Sequence, residues 1–262
     1  MKITAKSGHQ PEKTSRISGF IIAVFALTLF TVSCKNNAEN KENAAVAVTN
    51  GAKQAEFART AEDQSKFTAE DVINRFKEGN MRFTSNKLTT RDLPALVREN
   101  SQVQHPLAVV LSCMDSRIPP ETVFDESIGD VFVVRVAGNV VNNDILGSME
   151  YGCKVSGAKL ILVLGHENCG AVKSAIKEVK MGNITSLLQK VKPAIDKSAS
   201  YPGDKSYKNH DFIDLVCLNN VFVAINEIKA RSPILKEMAD KGEIRIVGAV
   251  YDMNTGIVKF LE

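Results

Sequence analysis

The chain has 262 residues, 44% of them apolar and 24% charged, which is ordinary for a soluble globular protein and long enough for one large domain or two small ones. Its formal charge of +3 resides in the first sixteen residues, where Lys2, Lys6, Lys13 and Arg16 outnumber Glu12, so the remainder sums to about zero. This excludes a basic field that would recruit nucleic acid, and a small or uncharged substrate fits better than a polyanion.

The N-terminus reads as a targeting segment. A basic stretch leads into an apolar run over residues 20–32, too short to cross a bilayer as a helix of ~20 residues but matching the length of a signal-peptide core. Residues 1–33 are therefore expected to be a signal peptide. Thr31-Val-Ser-Cys34 resembles a bacterial lipobox, with Thr31 where Leu is more usual, and makes Cys34 the expected lipidation site. An ordinary signal peptide followed by a chance cysteine is the alternative. A lipidated chain is anchored to a membrane without spanning it, so the expected location is the periplasm or cell envelope. Residues 34–66, rich in Ala, Asn, Glu, Lys and Gln, are expected to form a flexible tether, leaving 67–262 as the folded domain.

Thr68-Ala-Glu-Asp71 has the form of a capping box, and Val72, Ile73, Phe76 and Phe83 mark one apolar helix face behind it. Such an early amphipathic helix packs either on a partner subunit or on its own domain. Short apolar runs at 107–111 and 131–136 predict strands. Asn142-Asn-Asp144 caps a helix to about residue 155, and residues 159–164 form a strongly apolar strand ended by Gly165. Helices are predicted over 169–181, 184–199 and 212–230. Ser232-Pro233 opens another, which ends at Lys241-Gly242; 244–250 and 257–261 are the last strands. Continuous apolar strands alternating with helices give an α/β fold, with a mainly parallel central sheet and helices on both faces.

Five cysteines need a role. Cys113-Met-Asp115-Ser-Arg117 lies just past one predicted strand, and His166-Glu-Asn-Cys169-Gly170 just past another. Open parallel sheets bind ligands beyond the carboxyl ends of their strands. Two thiolates and one imidazole are the three-ligand set of a catalytic zinc with an open fourth position, and they favour zinc over harder divalent ions. Asp115 supplies a carboxylate near the metal and Arg117 a cation to hold it. Cys169 and Gly170 open the following helix, whose free N–H groups favour a thiolate and a nearby anion. A disulfide between Cys113 and Cys169, in a redox or structural module, is the competing reading. Cys153 and Cys217 are either two small buried hydrophobes or, in an oxidising compartment, a pair.

Cys113-Met-Asp-Ser-Arg117 and Gly165-His-Glu-Asn-Cys-Gly170, with Phe132-Val-Val-Arg135 and Glu150-Tyr151 between them, resemble the β-class carbonic anhydrases over about residues 70–260. The resemblance implies one zinc per subunit held by Cys113, His166 and Cys169, with Asp115 and Arg117 as the catalytic dyad. It also implies that Gln104 hydrogen-bonds substrate, that Phe132 and Tyr151 wall the carbon dioxide pocket, and that Gly170 offers a backbone donor to bicarbonate. A homodimer or higher homo-oligomer with its pocket at the interface follows from the same likeness. Glu167 stands where Ser or Thr is more usual, and Ala137 where a pocket Val is common. The chain has no Trp, which argues against the allosteric subgroup whose bicarbonate site uses one. The implied reaction is reversible hydration of carbon dioxide to bicarbonate and a proton. Hydrolysis of carbon disulfide or carbonyl sulfide on the same fold is the alternative. His105 and His210 are the candidate proton shuttles of the folded part, each with a surface or packing role as the plainer reading.

Overall fold

The computed structural model describes residues 59–261. The predicted signal peptide, Cys34 and the tether as far as residue 58 lie outside the described residues. The end of the expected tether is folded instead. Thr60 caps α1 (Ala61–Ser65) in a capping box with Asp63. Arg59 pairs with Asp130 at 3.0 Å. The buried Gln64 amide donates to the carbonyls of Pro106 and Ser156 at 2.7 and 2.8 Å. Folded structure thus extends back to Arg59 rather than starting at 67. The polar composition of this stretch concealed it, because its partners lie 42 and 92 residues away. Among the described residues no helix is long and apolar enough to cross a membrane.

The capping box at Thr68 opens α2 (Ala69–Thr84), with Asp71 closing it as the sequence predicts. This helix packs on its own domain. Val72, Ile73 and Phe76 are buried, and Phe76 stacks on Phe124 with ring centroids 4.5 Å apart. A Cβ on Gly79 would stand 1.8 Å from the Phe124 carbonyl oxygen, so only glycine permits this approach.

Five strands lie in the order β2-β1-β3-β4-β5. The first four in that row, β1 (Ala108–Ser112), β2 (Val131–Arg135), β3 (Leu160–His166) and β4 (Arg245–Tyr251), run parallel; β5 (Val258–Leu261) closes the edge antiparallel to β4. Side chains alternate across the sheet. Val109, Leu111, Ile161 and Val163 meet α5 (Asn143–Glu150), α9 (His210–Arg231) and α10 (Pro233–Asp240), whereas Ala108, Val110, Leu160, Leu162 and Leu164 meet α2. Cover on both faces explains why β1 and β3 are buried along their whole lengths and read as unbroken apolar runs.

Some predicted boundaries move. Gly165 does not end β3, which continues to His166 paired with Tyr251. That glycine serves helix packing: a Cβ there would meet Val221 of α9 at 2.5 Å. The helix after Asn142 ends at Glu150 and passes into a π-helical turn, Tyr151–Val155. The single helix predicted over 184–199 is two, α7 (Gly182–Gln189) and α8 (Lys192–Lys197), with Pro193 in the first turn of α8, where its missing N–H costs no helical bond. The short helices α3 (Leu93–Glu99) and α4 (Pro120–Val123) were not predicted, and α6 (Gly170–Ile176) is shorter than expected. Past the carboxyl ends of the strands, a third apolar cluster gathers Val172, Val191, Phe212, Ile213, Val216 and Cys217 around Cys113 and Cys169.

Candidate metal centre

Three elements bring the predicted ligands together. Cys113 is the first residue after β1, His166 the last of β3, and Cys169 the residue before α6. Because β1 and β3 are neighbouring parallel strands, their carboxyl ends open at one level and both deliver a ligand there. All three residues are buried, and their ligand atoms lie within 4.8 Å of one another. The two sulfurs are 3.9 Å apart. Two thiolates each ~2.3 Å from a tetrahedral ion would stand ~3.8 Å apart, so the spacing fits zinc.

The imidazole supplies a second test. His166 Nδ1 lies 2.8 Å from the Glu167 carbonyl oxygen. A carbonyl only accepts, so Nδ1 carries the proton and Nε2 presents a lone pair. That Nε2 is buried with no hydrogen-bond partner, an arrangement that wants a ligand. Such an orienting carbonyl behind a ligating histidine is the usual outer support of a metal site.

The thiols are electrostatically unequal. A hydrogen bond from Cys169, with another from the Gly138 N–H, holds the Cys113 thiol well below its ordinary pKa. Cys169 is pushed up by the thiolate beside it and by burial. The Gly138 N–H donates to Cys113 Sγ at 3.3 Å, from a residue at φ +71° whose Cβ would crowd Ala171 at 3.2 Å. Cys153 and Cys217 are both free and buried, in separate apolar clusters, and burial pushes each thiol up to about 12. They do not pair.

Asp115 and Arg117 stand beside this cluster. Arg117 donates from Nε to Asp115 Oδ1 at 2.9 Å and from Nη2 to Oδ2 at 2.8 Å, and its backbone N–H also reaches Oδ1 at 3.1 Å. This grip lowers the Asp115 carboxyl to about 2. Arg135, at the end of β2, donates to the carbonyls of Cys113 at 3.0 Å and Asp115 at 2.5 Å and so fixes the backbone of the same loop. Sequence reasoning saw Arg135 only as part of a motif. Gly170 is the exposed first residue of α6, where a backbone N–H has no partner within the helix. Glu167 accepts the Met253 N–H at 3.2 Å and so ties the ligand turn to the chain after β4. Burial, then the nearby Asp252 and Asp214, raise its carboxyl.

The remaining predicted residues are elsewhere. Gln104 is exposed before the entry end of β1, opposite the end that carries Cys113, and His105 is beside it. Phe132 pairs in register with Val109, four residues or ~13 Å along the strand from Cys113. Tyr151 packs edge-on against Phe132 at 6.3 Å and is 55% exposed. Within one subunit these three do not join the metal cluster. His210 is exposed at the start of α9.

The carbonic anhydrase family model matches residues 108–258, which contain Cys113, Asp115, Arg117, His166 and Cys169. A carbonic anhydrase of Mycolicibacterium smegmatis is 35% identical over 190 residues, 70% of this chain and 88% of that protein. Carbonic anhydrase 2 of Mycobacterium tuberculosis is 32% identical over 186 residues, 69% and 86% of the two chains. The structure of a Coccomyxa β-carbonic anhydrase in complex with acetazolamide superposes with a TM-score of 0.56 at 28% identity, covering 73% of this chain and 82% of that one. The chain belongs to the β-class carbonic anhydrases, and its reaction is the reversible hydration of carbon dioxide to bicarbonate.

Proposed function

We propose that each subunit holds one zinc ion through Cys113 Sγ, His166 Nε2 and Cys169 Sγ, and that Asp115 and Arg117 form the catalytic dyad beside it. The unpartnered, buried Nε2 within 4.8 Å of two thiols carries this reading. When bound, zinc supplies the Lewis acidity that makes a water nucleophilic near neutral pH. The protein directs that water. Asp115 Oδ2 receives one bond from Arg117 and keeps a lone pair free to accept a hydrogen bond from the attacking water, which orients it. Oδ1 is occupied by two donors, which prevents the carboxylate from turning. Gly170, exposed at the first position of α6, offers a helix N-terminal N–H to an oxygen of the bicarbonate product.

The working assembly is a homodimer or higher homo-oligomer in which Gln104, Phe132 and Tyr151 serve the site of a second copy. Two features support this. Phe132 lies on β2, an outer strand of the sheet, and the adjoining π-helical turn exposes Tyr151 and Val155, the latter by 69%. An uncovered apolar patch beside an open strand edge is a natural interface. The N-terminal pattern supports export and lipidation at Cys34, with the enzyme anchored in the cell envelope; loss of palmitate labelling in Cys34→Ser would bear this out, and labelling that persists would sink it.

The deciding experiment is stopped-flow carbon dioxide hydration by the soluble domain, with bound zinc quantified and Cys113→Ser alongside. Hydration lost together with zinc establishes the centre. Unchanged hydration in the variant removes Cys113 from it.

A further inference from the structure

His166 and Cys169 are separated by two residues that must reverse the chain, so that the end of β3 and the start of α6 aim at one point. The reversal rests on Asn168, whose φ is +55°. This left-handed conformation is one that Asn tolerates better than most residues but does not prefer. What holds it comes from α9. The Asn168 backbone N–H donates to Asp214 Oδ1 at 2.7 Å, across 46 residues of sequence. One turn further along α9, Cys217 packs in the same apolar cluster as Cys169. Asp214 and Cys217, three residues apart, are thus neighbours on the α9 face that meets the turn.

We propose that Asp214 is a positioning residue for the metal centre: its carboxylate fixes the left-handed turn at Asn168, which sets Cys169 Sγ and the Gly170 N–H relative to His166. The role is specific to Asp214. A carboxylate accepting a backbone N–H makes one of the stronger hydrogen bonds, and Cys217 only packs against the turn. His166 has its own support in the Glu167 carbonyl, and Cys113 has the Gly138 N–H and Arg135. Beside the apolar packing, the Asn168–Asp214 hydrogen bond is the tie that α9 offers to the Cys169 arm.

The inference rests on the three-ligand reading of the metal site, and its test separates the two. Purified protein loaded with zinc is mixed with a chromophoric chelator, and metal loss is timed for the wild type, Asp214→Ala, Asp214→Glu and Asp214→Asn. The cobalt(II) forms give the thiolate-to-metal absorption bands as a readout of geometry. The metal-free proteins are melted in parallel. Wild type that holds no metal sinks the metal reading itself. With a wild type that holds it, metal loss should be about 10-fold faster in Asp214→Ala. Asp214→Glu, whose longer stem moves the carboxylate off the N–H, should behave the same way, with shifted cobalt bands. Asp214→Asn keeps an acceptor oxygen in place and should stay within about 3-fold of wild type. Wild-type release and bands in both Ala and Glu variants overturn the proposal. So does a fall in metal-free Tm that accounts for the whole effect, because Asp214 would then be serving the fold alone. If Asp214→Ala does not fold, Asp214→Glu decides by the same criteria.

Discussion

Arg117 grips Asp115 with both edges, Nε on Oδ1 at 2.9 Å and Nη2 on Oδ2 at 2.8 Å, although the two residues are only two apart in sequence. The pair sits in a loop whose backbone is held by Arg135 from the neighbouring strand. One guanidinium orients the carboxylate and another orients the peptide that carries it.

Arg117→Ala should lower hydration by about 100-fold at pH 7 while zinc content stays constant. Without Arg117 the Asp115 carboxyl relaxes from about 2 towards its ordinary 3.8. It remains ionised at neutral pH either way, so the loss reports orientation rather than charge. Arg117→Lys should recover only part of it, since an ammonium cannot make the two-pronged contact. Full activity in Arg117→Ala, measured by stopped flow, would reduce the pair to a turn-stabilising salt bridge.

Two thiolates balance the double charge of the proposed zinc, whereas three neutral imidazoles leave it intact. The water activated here should be less acidic than the ~7 typical of a three-histidine site. The hydration rate is therefore expected to climb between pH 7 and pH 9. Asp115 contributes nothing to that slope, because its carboxyl titrates near 2. A profile flat from neutral upward speaks against the two-thiolate set.

Asp125 anchors the N-terminal helices and predicts an acid transition. Its side chain is 1% exposed and receives Arg82, Arg91 and Thr89. Burial alone would raise its carboxyl, yet these partners bring it down to about 2. The unfolded value is ~3.9, so the contribution of roughly 2 kcal/mol is complete above pH ~4 and lost as pH falls through about 2. Urea unfolding at pH 6 and pH 2.5 should show this loss in wild type and a smaller one in Asp125→Asn. Arg91→Met should cost about 3 kcal/mol at pH 6, because the remaining buried charge is left short of a partner. Equal acid sensitivity in wild type and Asp125→Asn would assign the transition to other groups.

Val155→Glu tests the assembly. Val155 is 69% exposed, one turn from Tyr151 and the Phe132 contact, so a charge there leaves the subunit fold intact. Sedimentation velocity should show smaller particles than wild type. Hydration should fall with them while zinc is retained, since Gln104, Phe132 and Tyr151 would no longer face a second copy's site. Monomers with full activity would place those three residues outside catalysis.

Much of the site was legible because its residues lie at strand ends, and strand ends are marked by the close of an apolar run. Cys113 and His166 follow such runs, and Cys169 opens the next helix, so two short motifs located the three candidate ligands and the Asp115–Arg117 pair. Gln104, Phe132 and Tyr151 were identified by likeness alone, and nothing local shows that they stand away from the ligands of their own subunit. The first folded residues were missed because Arg59 and Gln64 are polar and find their partners only after the chain has closed on itself.

The sequence by itself determined the alternation of strands and helices, the burial of both sheet faces and the chemical identity of the candidate ligand set, since all of these follow from side-chain type and periodicity over a few residues. Tertiary structure alone decided the strand order, which puts β1 beside β3 and so brings Cys113 to His166. It also decided the partners of the loops: Arg135 on the Cys113 and Asp115 carbonyls, Gly138 on the Cys113 sulfur, and Asp214 on the Asn168 N–H. Each is a hydrogen bond between residues 20 or more apart. Such a bond has no local signature, because the donor and acceptor meet only once packing of the apolar faces has fixed where each backbone runs.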